Sequence, residues 1–248
     1  MSKGTAIVTG GAGTLGLAIS RGLRDDGWNV VILDRPESLA DFAPPEGIRA
    51  DALDVTDFDA CRAYFSALTE LSVLVNNAGM ARLSPVREIS LAHWNEVLTL
   101  NLTAPLVLTQ LATGLLARSG HGAIVNIASI AGIRAGFGRV AYGASKAGII
   151  QLTRQTALEY APLGVRCNAV APGPVESAML REQLSKEDFA EYLDDIPFNR
   201  MAEPDEVADA VAYLASEKSR YITGQCLAVD GGFLAAGAGV RKAHQLAS

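Results

Sequence analysis

A doubly wound α/β fold is what this sequence predicts: a seven-stranded parallel sheet covered by helices on both faces. Three observations predict it. Short apolar runs rich in Val, Ile and Leu alternate along the chain with longer amphipathic or apolar stretches. The runs are continuously apolar rather than alternating, as strands buried on both faces are. The first run leads into a glycine-rich turn and then a helical stretch, the order that opens such folds.

Each element has its own justification. TAIVT (Thr5–Thr9) is β-branched and apolar, and the GGAGTLG turn ends it. Helical patterning resumes over 14–26. NVVIL (Asn29–Leu33) is the second strand, closed by Asp34, Arg35 and Pro36. Pro44–Pro45 marks a turn before the third strand, Ile48–Ala52, and a helix follows over 57–69. Val73–Val75 is the fourth strand, the long apolar stretch 93–117 the next helix, and Ala123–Ala128 the fifth strand. A helix over 142–161 leads to Arg166–Val170, and one over 204–216 leads to Cys226–Val229. Right-handed crossovers then place helices on both faces. No Pro/Gly-rich linker, repeat or low-complexity tract divides the chain, so 1–248 reads as one domain with a small lid at about 176–198. The Ala/Gly-rich tail after Gly232 is expected to be loosely ordered.

Composition narrows the function classes. The chain has 248 residues, 49% of them hydrophobic and 19% charged, which allows a large core and argues against disorder. A net charge of −6 and a pI near 5.1 argue against a nucleic-acid groove. Cys61, Cys167 and Cys226 are widely spaced and odd in number, as in reduced, buried thiols of a cytoplasmic protein. His93, His121 and His244 are isolated, so no metal site is expected and surface or loop positions are. The N-terminus, MSKGTAIVTGG, has no signal-peptide pattern. Val97–Ala117 carries no charge and is long enough to span a bilayer, but it includes Asn101, Gln110 and Pro105. It reads as a helix buried in protein on most sides rather than a membrane span.

The glycine turn carries the first chemical signal. Gly11-x-Gly13-x-x-Gly16 follows a strand and opens a helix, which fits the dinucleotide fingerprint. The glycines let the backbone approach a pyrophosphate, and the helix N-terminus receives the anion. Asp34 lies eighteen residues beyond Gly16, where a carboxylate would accept hydrogen bonds from a ribose diol and repel a 2′-phosphate. NAD(H) is therefore favoured over NADP(H). Arg35 has two readings, a partner for that phosphate or a group stacked on adenine or left in solvent.

The second signal is Ser129 with Tyr142-x-x-x-Lys146. The serine closes an apolar strand, and the pair follows thirteen residues later on one helix face. A free phenol has a pKa of about 10, and lowering it to about 7 takes roughly 4 kcal/mol of differential stabilisation of the anion. A nearby ammonium supplies part of that, and a bound, positively charged nicotinamide more. Such a phenol exchanges a proton with a carbinol or carbonyl oxygen while a serine hydroxyl holds that oxygen. Taken alone, Tyr-x-x-x-Lys also recurs on ordinary helix surfaces.

With these residues in hand the chain resembles the short-chain dehydrogenase/reductase family, in its short branch, from about Thr5 to Gly232. The motifs run in the family's order: Thr9-Gly10, Asp54-Val55, Asn76-Asn77-Ala78-Gly79, Asn101, Ser129, Tyr142, Lys146 and Pro172-Gly173-Pro174-Val175. The resemblance implies a Rossmann-type fold and an NAD(H)-dependent oxidoreductase that interconverts a secondary alcohol and a ketone. It implies Tyr142 as acid/base, Ser129 as orienter of the substrate oxygen, and Lys146 as the group that lowers the tyrosine pKa and binds the nicotinamide ribose. Asn101 is implied to hold a water that links Lys146 to solvent. Implied cofactor contacts come from Gly10, Gly13, Thr14, Leu15 and Gly16 in the turn, from Asp34 and Arg35, and from Asp54 and Val55 at adenine. Asn77, Ala78 and Gly79 lie along the cofactor, with Tyr142, Lys146, Pro172, Gly173 and Val175 completing the set. The chain departs from the family's Thr-Gly-x-x-x-Gly-x-Gly pattern at Thr14. Its spacing also fits the Thr-Gly-x-x-Gly-x-x-Gly of the longer epimerase and dehydratase branch, while length and the Asn-Asn-Ala-Gly and Pro-Gly segments favour the short one. Thr14 retains a backbone N–H for phosphate and a hydroxyl that could cap the helix or touch phosphate.

Ile130, Ile133, Arg134, Phe137 and Arg139 are expected at the substrate pocket, with the arginines as readers of an anionic group or as rim and subunit-contact residues. Candidate substrate classes are 3-oxoacyl thioesters, sugars or polyols, dihydrodiols and hydroxysteroids. The stretches 97–117 and 142–161 are too apolar all round for one-sided helices, which predicts a homo-oligomer, a dimer or by resemblance a tetramer. Two competing readings are a non-catalytic nucleotide-binding scaffold and an epimerase or lyase that uses bound NAD.

Overall fold

The strands β1 (Thr5–Thr9), β2 (Asn29–Asp34), β3 (Ile48–Ala52), β4 (Val73–Asn76), β5 (Ala123–Ile127), β6 (Arg166–Pro172) and β7 (Cys226–Val229) form one sheet. Their order is β3-β2-β1-β4-β5-β6-β7, and every pairing is parallel. The structure is a computed structural model that describes residues 2–176 and 193–245, with the backbone alone at 242 and 243. Every strand read from the sequence is present. Three run past their expected ends, because the ladder pairs Asp34 with Ala52, Asn76 with Asn126 and Pro172 with Val229.

Successive strand residues face opposite layers. Ala6 and Val8 join Val30, Ile32, Val73 and Val125 under α1 (Thr14–Asp25) and a later helix over Pro204–Ala215. Ile7 joins Leu33, Leu74 and Ile124 under α3 (Phe58–Ala67) and α5 (Ala104–Arg118). The short α2 (Pro36–Leu39) and α4 (Leu91–Leu98) precede these helices. On the α5 side, α6 (Val140–Tyr160) sets Ile149 and Ile150 on Ala169 and Ala171 of β6. Ile7, Ile32, Leu33, Leu74 and Ile124 are almost fully buried. Each side chain of this kind contributes about 1.5–3 kcal/mol by burial. The helix over Pro204–Ala215 is α7, and α8 (Val240–His244) lies in the tail.

The stretch expected as one helix over 93–117 starts at Leu91 and contains a π-helical turn, Thr99–Thr103, between α4 and α5. Here the Ala104 N–H reaches back to the Thr99 carbonyl. Pro105 has no N–H, so the Asn101 carbonyl lacks its usual α-helical donor, and the ladder shifts at that point. The expectation of burial on most sides holds over 97–117, where the exposed positions are the stripe Thr103, Leu106, Gln110 and Gly114. Leu91–Arg118 is long and apolar enough to cross a membrane, and 44% of its most apolar window is buried. One face, including Leu106, meets solvent in the single chain.

Other small corrections follow from packing. Cys61 and Cys167 are free and buried, and burial pushes their thiols up to about 11 and about 12, whereas Cys226 on the edge strand is half-buried. His121 is exposed, but His93 and His244 are half-buried. The described part of the tail, as far as residue 245, makes specific contacts. Ala235 and Ala236 donate to the Gly232 carbonyl, and His244 Nε2 lies 3.0 Å from the Ile196 carbonyl oxygen. Arg241 pairs with Asp194 at 2.6 Å, which holds α8 against the end of the expected lid.

Candidate active site

The strand order reverses between β1 and β4, and a crevice at such a reversal, beyond the carboxyl ends of the strands, is where ligands bind in this architecture. The glycine turn fills the β1 side of that crevice. A Cβ at Gly16 would lie 2.2 Å from the Gly10 carbonyl oxygen, so only glycine lets the helix start so close to the turn. Gly13 differs: a Cβ there would meet only the Gly10 carbonyl oxygen, at an ordinary 3.5 Å. The protein itself does not require glycine at 13, and its bare backbone leaves open space at the helix end.

That helix end suits an anion. Gly13 is the N-cap of α1, no side chain caps it, and its first turn carries no acid. The first helical bond runs from Leu17 to the Gly13 carbonyl, which leaves the N–H groups of Thr14, Leu15 and Gly16 aimed out of the helix. Thr14 is the first helical residue rather than the cap, so its hydroxyl does not cap the helix as one expectation had it.

Asp34 ends β2 beside the turn. Its carboxylate accepts from Ala12 N at 3.0 Å and from Arg35 N at 2.9 Å, which orients it across the turn. Arg35 is exposed and caps α2. Asp54 follows β3 on the same side, held by Thr56 N and Oγ1, while Val55 is buried in the α3 layer. On the β4 side, Asn77 Nδ2 donates to the Thr9 and Gly10 carbonyls. Asn77 N and Ala78 N both donate to Thr9 Oγ1. The Asn-Asn-Ala-Gly segment thus staples the glycine turn to β4. These open donors, the oriented carboxylate and the bare Gly13 fit a nicotinamide dinucleotide.

The second group gathers at the ends of β5 and β6. Ser129 is 8% exposed, caps a 3₁₀ turn over Ile130–Gly132, and accepts from Ala131 N at 3.1 Å. A Cβ at Gly132 would lie 2.5 Å from the Lys146 carbonyl carbon, so this glycine sets the close approach of the serine turn to α6. Tyr142 and Lys146 lie one turn apart on α6, with the Lys146 ammonium 5.7 Å from the tyrosine ring centre. Lys146 is 4% exposed and donates to the Ile127 carbonyl at 2.7 Å. Burial lowers its pKa from 10.5 to about 8, so it is still mainly an ammonium at neutral pH.

Asn101 joins this group through its amide. Its Oδ1 accepts from Met80 N, and its Nδ2 donates to Met80 O and to Ser145 Oγ. Ser145 Oγ in turn donates to the Tyr142 carbonyl at 2.7 Å. The place a Gly79 Cβ would take is 3.2 Å from Asn101 Oδ1 and 3.6 Å from Lys146 Nζ, so the β4 loop, the π turn and α6 converge there. Gly173 donates to the Val229 carbonyl, and Val175 bridges to Ala202, which carries the Pro172–Val175 segment past the end of the sheet.

Sequence reasoning missed several supports. Asn76 Nδ2 donates to Asn126 Oδ1, and Asn126 Nδ2 to Thr153 Oγ1, a buried polar ladder that sets the register of α6 on the sheet. Ser145 and Gly132 were missed too. A single Asn inside AIVNIA, and a Gly three residues after the strand-end Ser, were the available signals.

Among the expected pocket residues, Ile130 is buried, and Ile133 and Phe137 are exposed at 52% and 90%. Arg139 lies 5.7 Å over the Tyr142 ring, and Arg134 lies 5.2 Å over Phe233. Most of the expected lid, 177–192, falls outside the described residues.

A family model described as enoyl-(acyl carrier protein) reductase matches residues 10–234. The cis-4-hydroxycyclohexanecarboxylate dehydrogenase of Sinomonas cyclohexanicum is 38% identical, over 93% of this chain and 96% of its own. The 7alpha-hydroxysteroid dehydrogenase of Bacteroides fragilis is 35% identical, over 91% and 92%. Among solved structures, one described as an NAD(P)-dependent gluconate 5-dehydrogenase from Beutenbergia cavernae, with NADP bound at low occupancy, superimposes with a TM-score of 0.88. It is 36% identical and the match covers 95% of this chain and 98% of that one.

Proposed function

The chain belongs to the short-chain dehydrogenase/reductase family of oxidoreductases, and on that premise we propose that it interconverts a secondary alcohol and a ketone with NAD(H), using Tyr142 as acid/base. The observation that carries this reading is the convergence of Ser129, Tyr142, Lys146 and Asn101 at the ends of β5 and β6, beside a turn with open N–H donors.

A bound nicotinamide dinucleotide supplies the two-electron acceptor or donor. The protein does the rest. In oxidation the Tyr142 oxygen takes the hydroxyl proton as the carbinol C–H bond gives up its electron pair, and in reduction it returns a proton to the carbonyl oxygen. Ser129 donates a hydrogen bond to that same oxygen and so orients the reacting carbon. The Lys146 charge favours the phenolate, and its ammonium is held by Ile127 O for contact with a ribose hydroxyl. Asn101 is a positioning residue. Its amide ties the β4 loop to α6, and its main-chain carbonyl, without a donor from Pro105, would be open to a water that links Lys146 to solvent. Turnover of an alcohol panel with NAD and with NADP, followed by absorbance of the reduced cofactor, tests the reading. No reduced cofactor with any alcohol would favour a nucleotide-binding scaffold.

Asp34 sets the preference for NAD(H). Held by Ala12 N and Arg35 N, its carboxylate accepts a ribose diol and repels a 2′-phosphate. Asp34→Ala is expected to weaken NAD binding about tenfold, the loss of a charge-assisted hydrogen bond, and to narrow the gap to NADP. Fluorescence titration of both reduced cofactors checks it. Tighter NADPH than NADH binding by the unmodified protein would hand control to Arg35.

The assembly is a homo-oligomer, a dimer or tetramer, built on α5 and α6. Leu106 on α5 and Leu158 on α6 are 39% and 74% exposed in the single chain, and a second copy would cover them. Light scattering at micromolar concentration is expected to give at least twice 26.0 kDa. A stable monomer would contradict it.

A further inference from the structure

We infer that the substrate alcohol carries a carboxylate away from its reacting carbon, and that Arg134 receives it. The inference rests on the oxidoreductase reading above and names the substrate class for that site.

From Ser129 to Lys146 the chain holds two arginines and no acid, although the protein as a whole is acidic. Arg134 leaves the serine turn with its N–H on the Ile130 carbonyl at 2.8 Å. Gly132 packs that turn against Lys146, and a Cβ at Gly143 would lie 3.0 Å from the Ala131 carbonyl oxygen. Arg134 is therefore mounted on the same rigid unit as Ser129 and Tyr142.

Its guanidinium extends over the ring of Phe233, 5.2 Å from its centre. Phe233 sits in a turn closed by Asp230, whose two carboxylate oxygens accept from Gly232 N and Leu234 N. Asp230 lies against Gly173, at the end of β6. Arg134 thus reaches from the Ser129 side to the Gly173 side, across the end of the sheet where a substrate must enter. Asp230 is occupied by backbone donors, and among the described residues no carboxylate pairs with Arg134. Elsewhere on the surface Arg24, Arg62 and Arg200 hold neighbouring acids. The Phe233 ring holds the Arg134 guanidinium at 5.2 Å and offers no acceptor of its own, so the N–H groups remain for a planar, two-oxygen acceptor. A carboxylate matches that fork in shape and charge.

The test compares a cyclic hydroxy acid with its primary amide, and an aldonate with the corresponding alditol. The unmodified protein is expected to turn over each acid with kcat/KM about tenfold or more above its neutral partner. Arg134→Met, which keeps the ring contact, should raise KM for the acids about tenfold and for the neutral partners less than about twofold, with Arg134→Lys between. A second readout needs no turnover. Cyclohexanecarboxylate should add to the complex with reduced cofactor more tightly than cyclohexanecarboxamide, and Arg134→Met should abolish the difference. Equal turnover of acid and neutral partner, or equal effects of Arg134→Met on both, would overturn the carboxylate inference and leave the oxidoreductase reading standing. Cofactor binding without turnover of any alcohol would remove that reading and this inference together.

Discussion

Tyr142→Phe should bind NAD(H) as the unmodified protein does and turn over about 10²-fold or more slowly, the usual contribution of a positioned acid/base. The substitution removes one oxygen and keeps the ring that Lys146 and Arg139 approach at 5.7 Å. The Ser145 bond to the Tyr142 carbonyl is a main-chain contact and survives. The fold around α6 should therefore stay intact, which separates a chemical loss from a structural one. Stopped-flow turnover beside a cofactor titration measures both. A Phe variant with near-normal turnover would remove Tyr142 from the chemistry, and one that fails to bind cofactor would make its role structural.

Lys146→Met should have the second largest effect, on two quantities. Without the ammonium the phenolate loses one of the two positive charges that lie 5.7 Å from its ring centre, the buried one, and turnover falls by about 10²-fold or more. The second effect is on stability and has a definite sign. Burial lowers the Lys146 pKa from 10.5 to about 8, so the cost of burying its charge is fully present below pH 8. Between pH 8 and 10.5 the unfolded chain still holds a proton that the folded chain has released, so stability rises with pH through that window. The full change is about 3 kcal/mol. Urea unfolding of the cofactor-free protein from pH 7 to 10 should show the wild type gaining stability relative to Lys146→Met as pH rises. A constant difference would mean that Lys146 is not buried as a charged group.

The inner strands were legible because both their faces are buried, which leaves runs such as AIVT and VVIL nearly free of polar interruption, whereas the edge strands β3 and β7 are only partly buried. The positions now proposed as catalytic were legible because their spacing has a geometric meaning: one helical turn between Tyr142 and Lys146, and a strand end at Ser129. What supports them was harder to read. Ser145, Asn126 and Thr153 act through contacts between elements, and no local pattern marks the partner of a lone buried polar residue. The π turn at Thr99–Thr103 depends on Pro105, which in sequence reads equally well as an ordinary helix residue. The tail was expected to be loose because its composition is Ala- and Gly-rich, yet Arg241 and His244 find partners at Asp194 and Ile196. Composition reports average tendency and does not show such pairwise contacts.

The central claim is that the site moves two electrons between a carbinol carbon and a nicotinamide while Tyr142 moves the proton. Isotope transfer tests it most directly. A panel of ketones is incubated with the protein and reduced NAD deuterated at its transferring position, and the alcohols are examined by mass spectrometry and proton NMR. The account predicts deuterium on the carbinol carbon of the product, one stereochemical outcome, and about 10²-fold or greater slowing of its appearance with Tyr142→Phe. Alcohol products without deuterium, no alcohol from any ketone, or label transfer at an unchanged rate in Tyr142→Phe would contradict it.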